Sequence, residues 1–134
     1  MKKKIPRSDC PISYALDFMG DKWSLLIIRD LVFEDKKFYK EFLRSKEGIA
    51  TNILSDRLKK LEAAGIVTSK IFAELKTQKE YALTRKGLDL IPVLVDMIIW
   101  SAKYDDGLAV DSAFVEKVTR DREQVIKNIE KRLA

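Results

Sequence analysis

The sequence predicts a mainly α-helical domain with one small β-hairpin, an α+β fold. Three observations support this prediction. Apolar residues recur at helical spacing through most of the 134 residues. Two short β-rich runs enclose a polar stretch near the middle of the chain. No flexible linker divides the chain, so we expect residues 1–134 to form a single domain, with a core at about 9–104 and a C-terminal helix at about 111–133.

The composition excludes several classes of protein. Hydrophobic residues make up 46% of the chain and charged residues 35%, which is typical of a globular domain with a real core. A single Cys has no partner for an intrachain disulfide and excludes a zinc site built from several Cys. Because there is no His, a Ser-His-Asp or Cys-His catalytic centre lacks its base. We therefore expect neither enzymatic activity nor a metal or other cofactor.

The charge of the chain indicates a polyanionic partner. The formal net charge is +5, and the segment Lys36–Lys86 holds 13 basic and 6 acidic residues. The remaining 83 residues hold 13 basic and 15 acidic residues, so the positive field is local. A local positive field on an otherwise nearly neutral body favours nucleic acid over general solubility as its explanation.

The longest apolar segment does not predict a membrane span. It runs from Ile91 to Trp100, is half the length that a membrane helix needs, and contains Pro92 and Asp96. The basic start Met1–Lys4 has no apolar signal core behind it. We therefore expect a cytoplasmic protein.

Two helices are predicted in the N-terminal third. Pro11 suits the first turn of a helix and Gly20 its end. Asp21 is a natural N-cap for a second helix that continues to Val32. Because this second helix is apolar on much of its circumference, we expect it to be buried and central. A polar connection at 34–37 then leads to a short helix, Phe38–Arg44.

A tight turn at Ser45–Gly48 precedes the most informative element, a helix at Thr51–Ala64 that Gly65 ends. Placing its residues at 100° intervals separates two faces. The inward face carries Leu54, Leu58 and Leu61, with Ile53 beside them. The outward face carries Asn52, Ser55, Asp56 and Lys59.

The C-terminal half begins with the two β-rich runs, Ile66–Phe72 and Glu80–Leu83, which predict an antiparallel hairpin. Thr84 can cap a long apolar helix that ends near Tyr104, with Pro92 in its first turn or at a kink. The final predicted helix has an apolar seam formed by Phe114, Val118, Val125, Ile129 and Leu133.

The order of these elements is that of a winged helix-turn-helix. In such a fold a short helix and a tight turn hold a second helix so that its outward face enters the major groove, which is ~12 Å wide. The hairpin then reaches the neighbouring backbone or minor groove. Lys76 and Lys79 flank Thr77 and Gln78 at the predicted tip of that hairpin.

An ordered set of motifs supports the same interpretation. The set comprises Cys10–Ile12, Gly20–Ile27, Gly48–Ile49, Leu54–Glu62, Gly65–Val67 and Glu80–Thr84, with Gly87, Leu90 and Trp100. In this order the chain resembles the HxlR-type transcriptional regulators, a branch of the MarR-like winged-helix proteins, from about Asp9 to Trp100. The resemblance implies a dimeric DNA-binding regulator. It also implies a link to redox sensing, because several members sense electrophiles or oxidants through a Cys at the position of Cys10.

The chain departs from the family pattern near its short helix and at its hairpin. Phe38-Tyr39 stands where the family usually has Arg-Phe, so a common basic contact is missing, and Lys36, Lys37 or Lys40 can replace it. Ala50 stands where a Ser commonly opens the recognition helix, which moves the expected cap to Thr51. The hairpin lacks the typical Pro-Pro and Val.

The predicted DNA contacts come from the short helix, the recognition helix and the hairpin. Asn can pair with adenine, Ser is a permissive contact, and Lys suits guanine or phosphate. Asp56 can accept from cytosine or orient Lys59 or Lys60. The alternative is an ordinary solvated helix face. The predicted DNA-binding residues are Lys36, Lys37, Lys40, Thr51, Asn52, Ser55, Asp56, Lys59, Lys76, Gln78 and Lys79.

The terminal helices carry more apolar surface than a small domain can cover, which favours a symmetric homodimer. The alternative is burial within one chain, and the final helix can either cross to a partner or pack back on its own domain. The predicted interface residues are Tyr14, Phe18, Leu94, Met97, Trp100, Val118, Val125 and Ile129.

Cys10 is the candidate redox-sensing residue. It precedes Pro11 at the start of the first helix and lies close in sequence to Arg7 and the Lys2–Lys4 run. Helix N-termini and cations stabilise a thiolate, which raises its reactivity. The alternative is an inert Cys.

Two functions are therefore weighed. The first is a sequence-specific, dimeric DNA-binding regulator without enzymatic activity, whose partners are double-stranded DNA and a second copy of the chain; the sequence does not identify a small-molecule effector. The second is a winged-helix module that binds protein instead of DNA. The basic segment favours the first, because protein interfaces tend to be depleted of Lys.

Overall fold

The structure, a computed structural model, describes residues 8–72 and 78–133 and confirms the predicted α+β class. Seven helices and two strands occur in these residues, in the predicted order except that the helix predicted to follow Thr84 is two helices, a short one and a long one. They are α1 (Pro11–Met19), α2 (Lys22–Phe33), α3 (Tyr39–Leu43), α4 (Thr51–Ala63), β1 (Val67–Ile71), β2 (Lys79–Leu83), α5 (Arg85–Leu88), α6 (Ile91–Tyr104) and α7 (Ser112–Leu133).

Local chemistry explains the junction between the first two helices. Pro11 occupies the first turn of α1, and Gly20 is its C-cap. The Asp21 carboxylate then caps α2 by accepting hydrogen bonds from the backbone N–H groups of Trp23 at 3.0 Å and Ser24 at 3.1 Å. Both predicted boundaries are confirmed.

The helix-turn-helix consists of α3, the turn at Ser45–Gly48 and α4. Gly48 closes the turn by donating its N–H to the Ser45 carbonyl at 3.0 Å, and its φ of 70° is a conformation that suits glycine. The N-cap of α4 is Ala50, with no side-chain hydrogen bond, and Thr51 is the first helical residue. The prediction that Thr51 caps this helix is therefore wrong, because Ala50 holds the extended backbone of the cap position.

The wing is an antiparallel hairpin in which Val67 pairs with Leu83 and Ile71 with Lys79. A further bridge joins Phe38 to Glu80, next to a hydrogen bond of 2.7 Å from the Tyr81 N–H to the Lys37 carbonyl. The chain just before α3 therefore lies along the second strand. The base of the wing is fixed to the helix-turn-helix in this way.

The core lies where α2 meets α4, α6 and the wing. Ile28 and Val32 of α2, Leu54 of α4 and Val95 of α6 are completely buried. The leucines of α4 face inward as predicted. Thr84 caps α5 by accepting from the Gly87 N–H at 3.1 Å, so a separate short helix precedes α6.

The last helix packs back on its own domain. α7 has a non-helical residue at Asp121, which divides it into two segments. Beyond this point Arg122 forms a two-pronged ion pair with Asp96 of α6, with both N–O distances at 3.0 Å. Arg132 donates to the Val32 carbonyl at the end of α2 and to Asp35. Each of these contacts joins α7 to another helix or turn of the same chain.

This packing corrects part of the predicted dimer interface. Leu94, Val118 and Ile129 are buried against other residues of a single chain, which differs from their predicted place at a dimer interface. The reason is that α6 and α7 cover each other's apolar seams. No described helix is long and apolar enough to cross a membrane.

Candidate nucleic-acid interface

The outward face of α4 is polar and accessible. Thr51, Asn52, Asp56 and Lys59 are exposed, as expected for a helix that contacts DNA. Ser55 differs, because it is half-buried and its hydroxyl lies 3.2 Å from the Tyr39 hydroxyl. Tyr39 also donates to the Thr51 carbonyl at 3.0 Å, so Ser55 helps to join α3 to α4.

Asp56 is neutralised by its neighbours on the same helix. Its carboxylate pairs with Lys60 at 3.2 Å and with Arg57. The hydrogen bond from Lys60 is the largest effect and lowers the pKa of Asp56; burial opposes it, and the hydrogen bond from Arg57 adds to the lowering. The cation that Asp56 orients is therefore Lys60 and not Lys59, which leaves the Lys59 ammonium without an ion pair among residues 8–72 and 78–133.

A second ion pair holds α4 in place. Arg57 donates from Nε to the Asp21 carboxylate at 2.8 Å, and this is the carboxylate that caps α2. Burial raises the pKa of Asp21, but hydrogen bonds from Ser24, Arg57 and the backbone outweigh it, so the pKa is lowered overall. Sequence analysis missed this contact, because the two residues are 36 positions apart.

The turn before α4 is held by ion pairs to α2. Arg29 forms two hydrogen bonds with Glu47, at 2.7 and 2.9 Å. These bonds lower the pKa of Glu47 from 4.5 to about 2. Next to Arg29, the buried Asp30 accepts from the Ser45 hydroxyl. Two carboxylate contacts thus join the middle of α2 to Ser45 and Glu47 of the turn.

Lys36 belongs to this internal network. Its ammonium donates to the Ser45 hydroxyl at 3.0 Å and lies 3.7 Å from the Asp30 carboxylate. Asp30 is only 2% exposed, so it requires cations nearby. The structure therefore places Lys36 in a structural role, which differs from the predicted DNA contact.

The other predicted basic residues lie on accessible surface around α4. Lys37, Lys40 and Lys79 are exposed and have no ion pair within the described residues, and Gln78 is half-buried. Lys37 and Lys40 flank the start of α3, while Lys79 begins the second wing strand. Lys76 lies outside the described residues.

Cys10 is exposed and occupies the N-cap position of α1. Its backbone N–H donates to the Ser8 hydroxyl at 3.2 Å, and its carbonyl accepts from the Tyr14 N–H at 3.0 Å. The sulfur therefore stands at the positive end of a nine-residue helix and is open to reagents.

Exposed apolar side chains gather on α1 and α6. Trp100 is 68% exposed and its ring centroid lies 5.5 Å from that of Tyr104. Met97 is one turn earlier on α6 and is also exposed. On α1, Tyr14 is exposed and contacts the half-buried Phe18 edge to face at 4.9 Å. Val125, by contrast, is half-buried against the core.

No group of three or more His, Cys, Asp or Glu side chains in the described ranges is arranged to hold a metal ion. The arrangement offers cations and hydrogen-bonding groups on one surface instead. These are the groups that bind phosphates and base edges.

Comparison with known proteins identifies the family. Residues 18–108 match the model of the HxlR-like helix-turn-helix proteins. The chain belongs to the HxlR-like helix-turn-helix family. This confirms the resemblance found in the sequence, and the protein is a transcriptional regulator of the HxlR type.

The HxlR-like chain is similar to several regulators by sequence. It is 35% identical over 88 residues to the HTH-type transcriptional regulator sll1512 of Synechocystis sp., a match that covers 66% of this chain and 64% of that protein. It is 36% identical over 95 residues to the HTH-type regulator BH0655 of Halalkalibacterium halodurans, covering 71% of this chain and 84% of that protein.

Solved structures give the same assignment. PA1607, a proposed transcription factor, superposes with a TM-score of 0.66 at 40% identity, over 79% of this HxlR-like chain and 71% of that chain. The oxidised redox regulator HypR gives 0.64 at 31% identity, over 72% of this chain and 98% of that chain. The reduced transcriptional regulator YodB from Bacillus subtilis superposes with a TM-score of 0.59 at 31% identity, over 72% of this chain and 95% of that chain.

Proposed function

We propose that this protein is a sequence-specific, dimeric DNA-binding regulator in which α4 reads the major groove and the wing contacts the backbone. The observation that carries the proposal is the surface around α4. Asn52 and Lys59 extend from a helix whose other side is fixed to the core, and Lys37, Lys40 and Lys79 are exposed on the neighbouring α3 segment and wing without an ion pair to any residue that the structure describes. Unpaired cations beside an exposed Asn match the contacts that position and specify a DNA complex.

A homodimer is the second part of the proposal. Trp100, Met97 and Tyr14 leave apolar surface exposed on one chain, and a two-fold partner would cover it. Two copies would place two α4 helices against half-sites about one helical turn apart, or a multiple of this distance. A DNA partner also agrees with the cytoplasmic location expected from the sequence.

The test is binding of the full chain to genomic DNA fragments at increasing salt, followed by titration of the recovered operator. Affinity should fall steeply with salt, because each phosphate contact releases counterions. Asn52→Ala should reduce discrimination at one or two base pairs by ~1–3 kcal/mol, if Asn52 pairs with adenine. Lys79→Ala should weaken operator and random DNA alike and reduce the salt slope by about one unit.

Lys70→Ala is the matched control, because Lys70 lies on the first wing strand and already faces Glu80 at 4.0 Å. Lys70→Ala should change the affinity for DNA less than Lys79→Ala does. Failure to enrich any fragment at low salt would favour the protein-interaction module. Equal losses on operator and random DNA for Asn52→Ala would count against base readout by this residue.

We infer a redox- or electrophile-responsive function through Cys10 as a second step. The support is an exposed thiol at the N-terminus of α1, together with two structural relatives, HypR and YodB, of which HypR is a redox regulator solved in its oxidised form. With one Cys in the chain, the possible products are a disulfide between subunits, a disulfide with a small thiol, or an alkylated thioether.

Diamide or a quinone should change operator affinity of the wild-type protein and leave Cys10→Ser unaffected. The physical route is added bulk or a cross-link at the start of α1, which changes how this helix packs. Mass spectrometry identifies the adduct. A thiol that reacts no faster than free cysteine would contradict the sensing step and leave the DNA-binding proposal intact.

A further inference from the structure

A cavity of about 560 Å³ opens between α2, α6 and the segment that leads into α7. Small-molecule sites commonly occupy ~300–1,000 Å³ between helices, with mostly apolar walls and a few polar groups. Leu26, Leu94 and Ile98 belong to the apolar wall of this cavity, and Met97, which also belongs to the proposed dimer interface, lies at its edge. Phe33 and Phe114 also line it and meet edge to face, with ring centroids 6.2 Å apart. Size and lining are therefore those of a ligand site.

One wall is specific to the C-terminal part of this chain. The family match ends at residue 108, whereas Ala109, Val110 and Phe114 line the cavity beyond it. Asp111 fixes this wall by capping α7, since its carboxylate accepts from the Ala113 N–H at 2.9 Å. The cavity therefore depends on how α7 packs back against α2 and α6.

The unpaired charge at the cavity is negative. Arg29 is the cation on the wall, but its guanidinium is already paired with Asp30 and Glu47. Glu34, by contrast, is exposed just beyond the C-terminus of α2, and its carboxylate has no partner among residues 8–72 and 78–133. Ser101 lies in the last turn of α6, and its hydroxyl makes no hydrogen bond within the same ranges.

The two helix ends add to this charge. The C-terminal turns of α2 and α6 carry partial negative charge, which favours a cation nearby. Asp111 meets the positive end of α7 and is satisfied there. The apolar wall favours an apolar ligand body. The Glu34 carboxylate and the Ser101 hydroxyl, which have no partner among the described residues, favour a cationic group that can donate hydrogen bonds.

We propose that this cavity binds an apolar organic cation, that is, an amine or quaternary ammonium on an aliphatic or aromatic body. The body packs against the leucines and the two phenylalanines. The ammonium lies near Glu34, where the adjacent Phe33 ring can add a cation–π contact. An amine can also donate to the Ser101 hydroxyl.

A ligand here would lie against the helix that holds the DNA-reading turn. Arg29 lines the cavity with one part of its side chain and binds Glu47 of that turn with its guanidinium. We therefore expect ligand binding to change operator affinity. This consequence rests on the proposed DNA-binding function, whereas ligand binding itself does not.

The test uses three fluorescent probes with one ring system and different head groups: 1-pyrenemethylamine, 1-pyrenemethanol and 1-pyrenecarboxylate. Each is titrated with the full chain in the absence of DNA. We expect the amine to bind about tenfold more tightly than the carboxylate, since the first gains and the second loses a single charge contact. Glu34→Gln should reduce this preference to about twofold and leave the alcohol unchanged.

Two variants control the experiment. Glu123→Gln removes a carboxylate that pairs with Arg122 on α7, outside the cavity lining, and should leave all three affinities unchanged. Ser101→Phe fills the cavity from α6 and should weaken all three probes, with circular dichroism confirming that the fold is retained.

Tighter binding of the carboxylate, or an unchanged preference in Glu34→Gln, would overturn the proposed ligand class. Absence of binding by any probe would overturn the site. Probe release as the chain dimerises would show that a second copy covers the cavity, which also overturns it. Operator titration with and without the amine is a separate measurement, so a failure of DNA binding is distinguishable from a failure of ligand binding.

Discussion

Arg57 of α4 and Asp21 at the start of α2 form a hydrogen-bonded ion pair of 2.8 Å. The same carboxylate caps α2, so one side chain both starts the central helix and anchors the helix that carries the polar face. Both side chains are partly exposed, which limits the energy of the pair while leaving its geometry well defined.

Arg57→Met should lower the free energy of unfolding by about 0.2–1 kcal/mol, the range measured for solvent-exposed ion pairs. Asp21→Asn removes the charge but keeps a good N-cap, whereas Asp21→Ala should cost about 1 kcal/mol more by removing the cap as well. Urea denaturation of Arg57→Met, Asp21→Asn and the double variant gives the coupling energy. Strictly additive effects would mean that the pair contributes nothing.

The pair between Arg29 and Glu47 predicts a stability change in acid. Hydrogen bonds from Arg29 hold the pKa of Glu47 at about 2, against 4.5 for the unfolded chain. Because the folded pKa is lowered, this stabilisation is complete above about pH 4.5 and is lost as the pH falls toward 2.

Glu47→Gln should therefore flatten the loss of stability between pH 4.5 and about 2. Urea denaturation at several pH values across this interval measures the effect. Glu116→Gln is the control, since Glu116 forms only an exposed pair with Arg120 within α7. An acid dependence in Glu47→Gln equal to that of the wild type would contradict the prediction.

The exposed residues of α6 predict the dimer interface. Trp100→Ala or Met97→Asp should shift the protein toward monomer, by roughly 30-fold in dissociation constant if either residue is an interface hot spot. The monomer itself should unfold almost as before, because Trp100 is exposed in one chain. Light scattering over a concentration series measures the shift. Ile71→Asp, an exposed apolar residue on the wing, should leave the oligomeric state unchanged.

An intact dimer in both α6 variants would place the interface on another surface. Dissociation of the Ile71→Asp control would instead implicate the wing. Operator binding measured on the same samples should follow the dimer fraction, because two half-sites require two subunits.

At Gly87, α5 lies close to the backbone of Ile66, the residue that precedes β1. A Cβ at this position would lie 2.2 Å from the Ile66 carbonyl oxygen, so Gly87→Ala forces the backbone to move. We expect a loss of about 1–3 kcal/mol in the free energy of unfolding, as for other overpacked sites. Gly107→Ala is the control, since its Cβ would meet only the Asp105 side chain at 3.3 Å. Equal stability of the two variants would show that α5 adapts without cost.

Local patterns predicted most of the fold. Helix ends at Gly20 and Gly65, the cap at Asp21, the hairpin and the inward leucines of α4 all follow from the chemistry of neighbouring residues. The predicted cap of α4 is wrong because the methyl group of Ala50 accepts no hydrogen bond, so its side chain does not mark it as a cap. The first residue of α4 is set by the backbone conformation that the preceding turn imposes on Ala50.

Contacts between distant residues could not be predicted in the same way. The charge of Lys36 is visible in the sequence and predicts a DNA contact, whereas its partners Asp30 and Ser45 become neighbours only after folding. An apolar seam also does not identify what covers it. Val118 and Ile129 have the same helical spacing that an interface would have, but α7 buries them in its own chain.

The anchoring of the turn before α4 limits how any signal can reach the DNA. Deforming this turn would break the hydrogen bond from Ser45 to the buried Asp30 and the pair between Arg29 and Glu47, and a hydrogen bond to a charged group contributes about 1.5–3 kcal/mol. Bending α4 relative to α2 therefore costs free energy, whereas rotating α2, the turn and α4 together as a rigid body breaks none of these contacts. In the proposed DNA-bound dimer, control would therefore change the spacing and tilt between two helix-turn-helix units that keep their own structure, and half-sites at a fixed distance would then bind them less tightly.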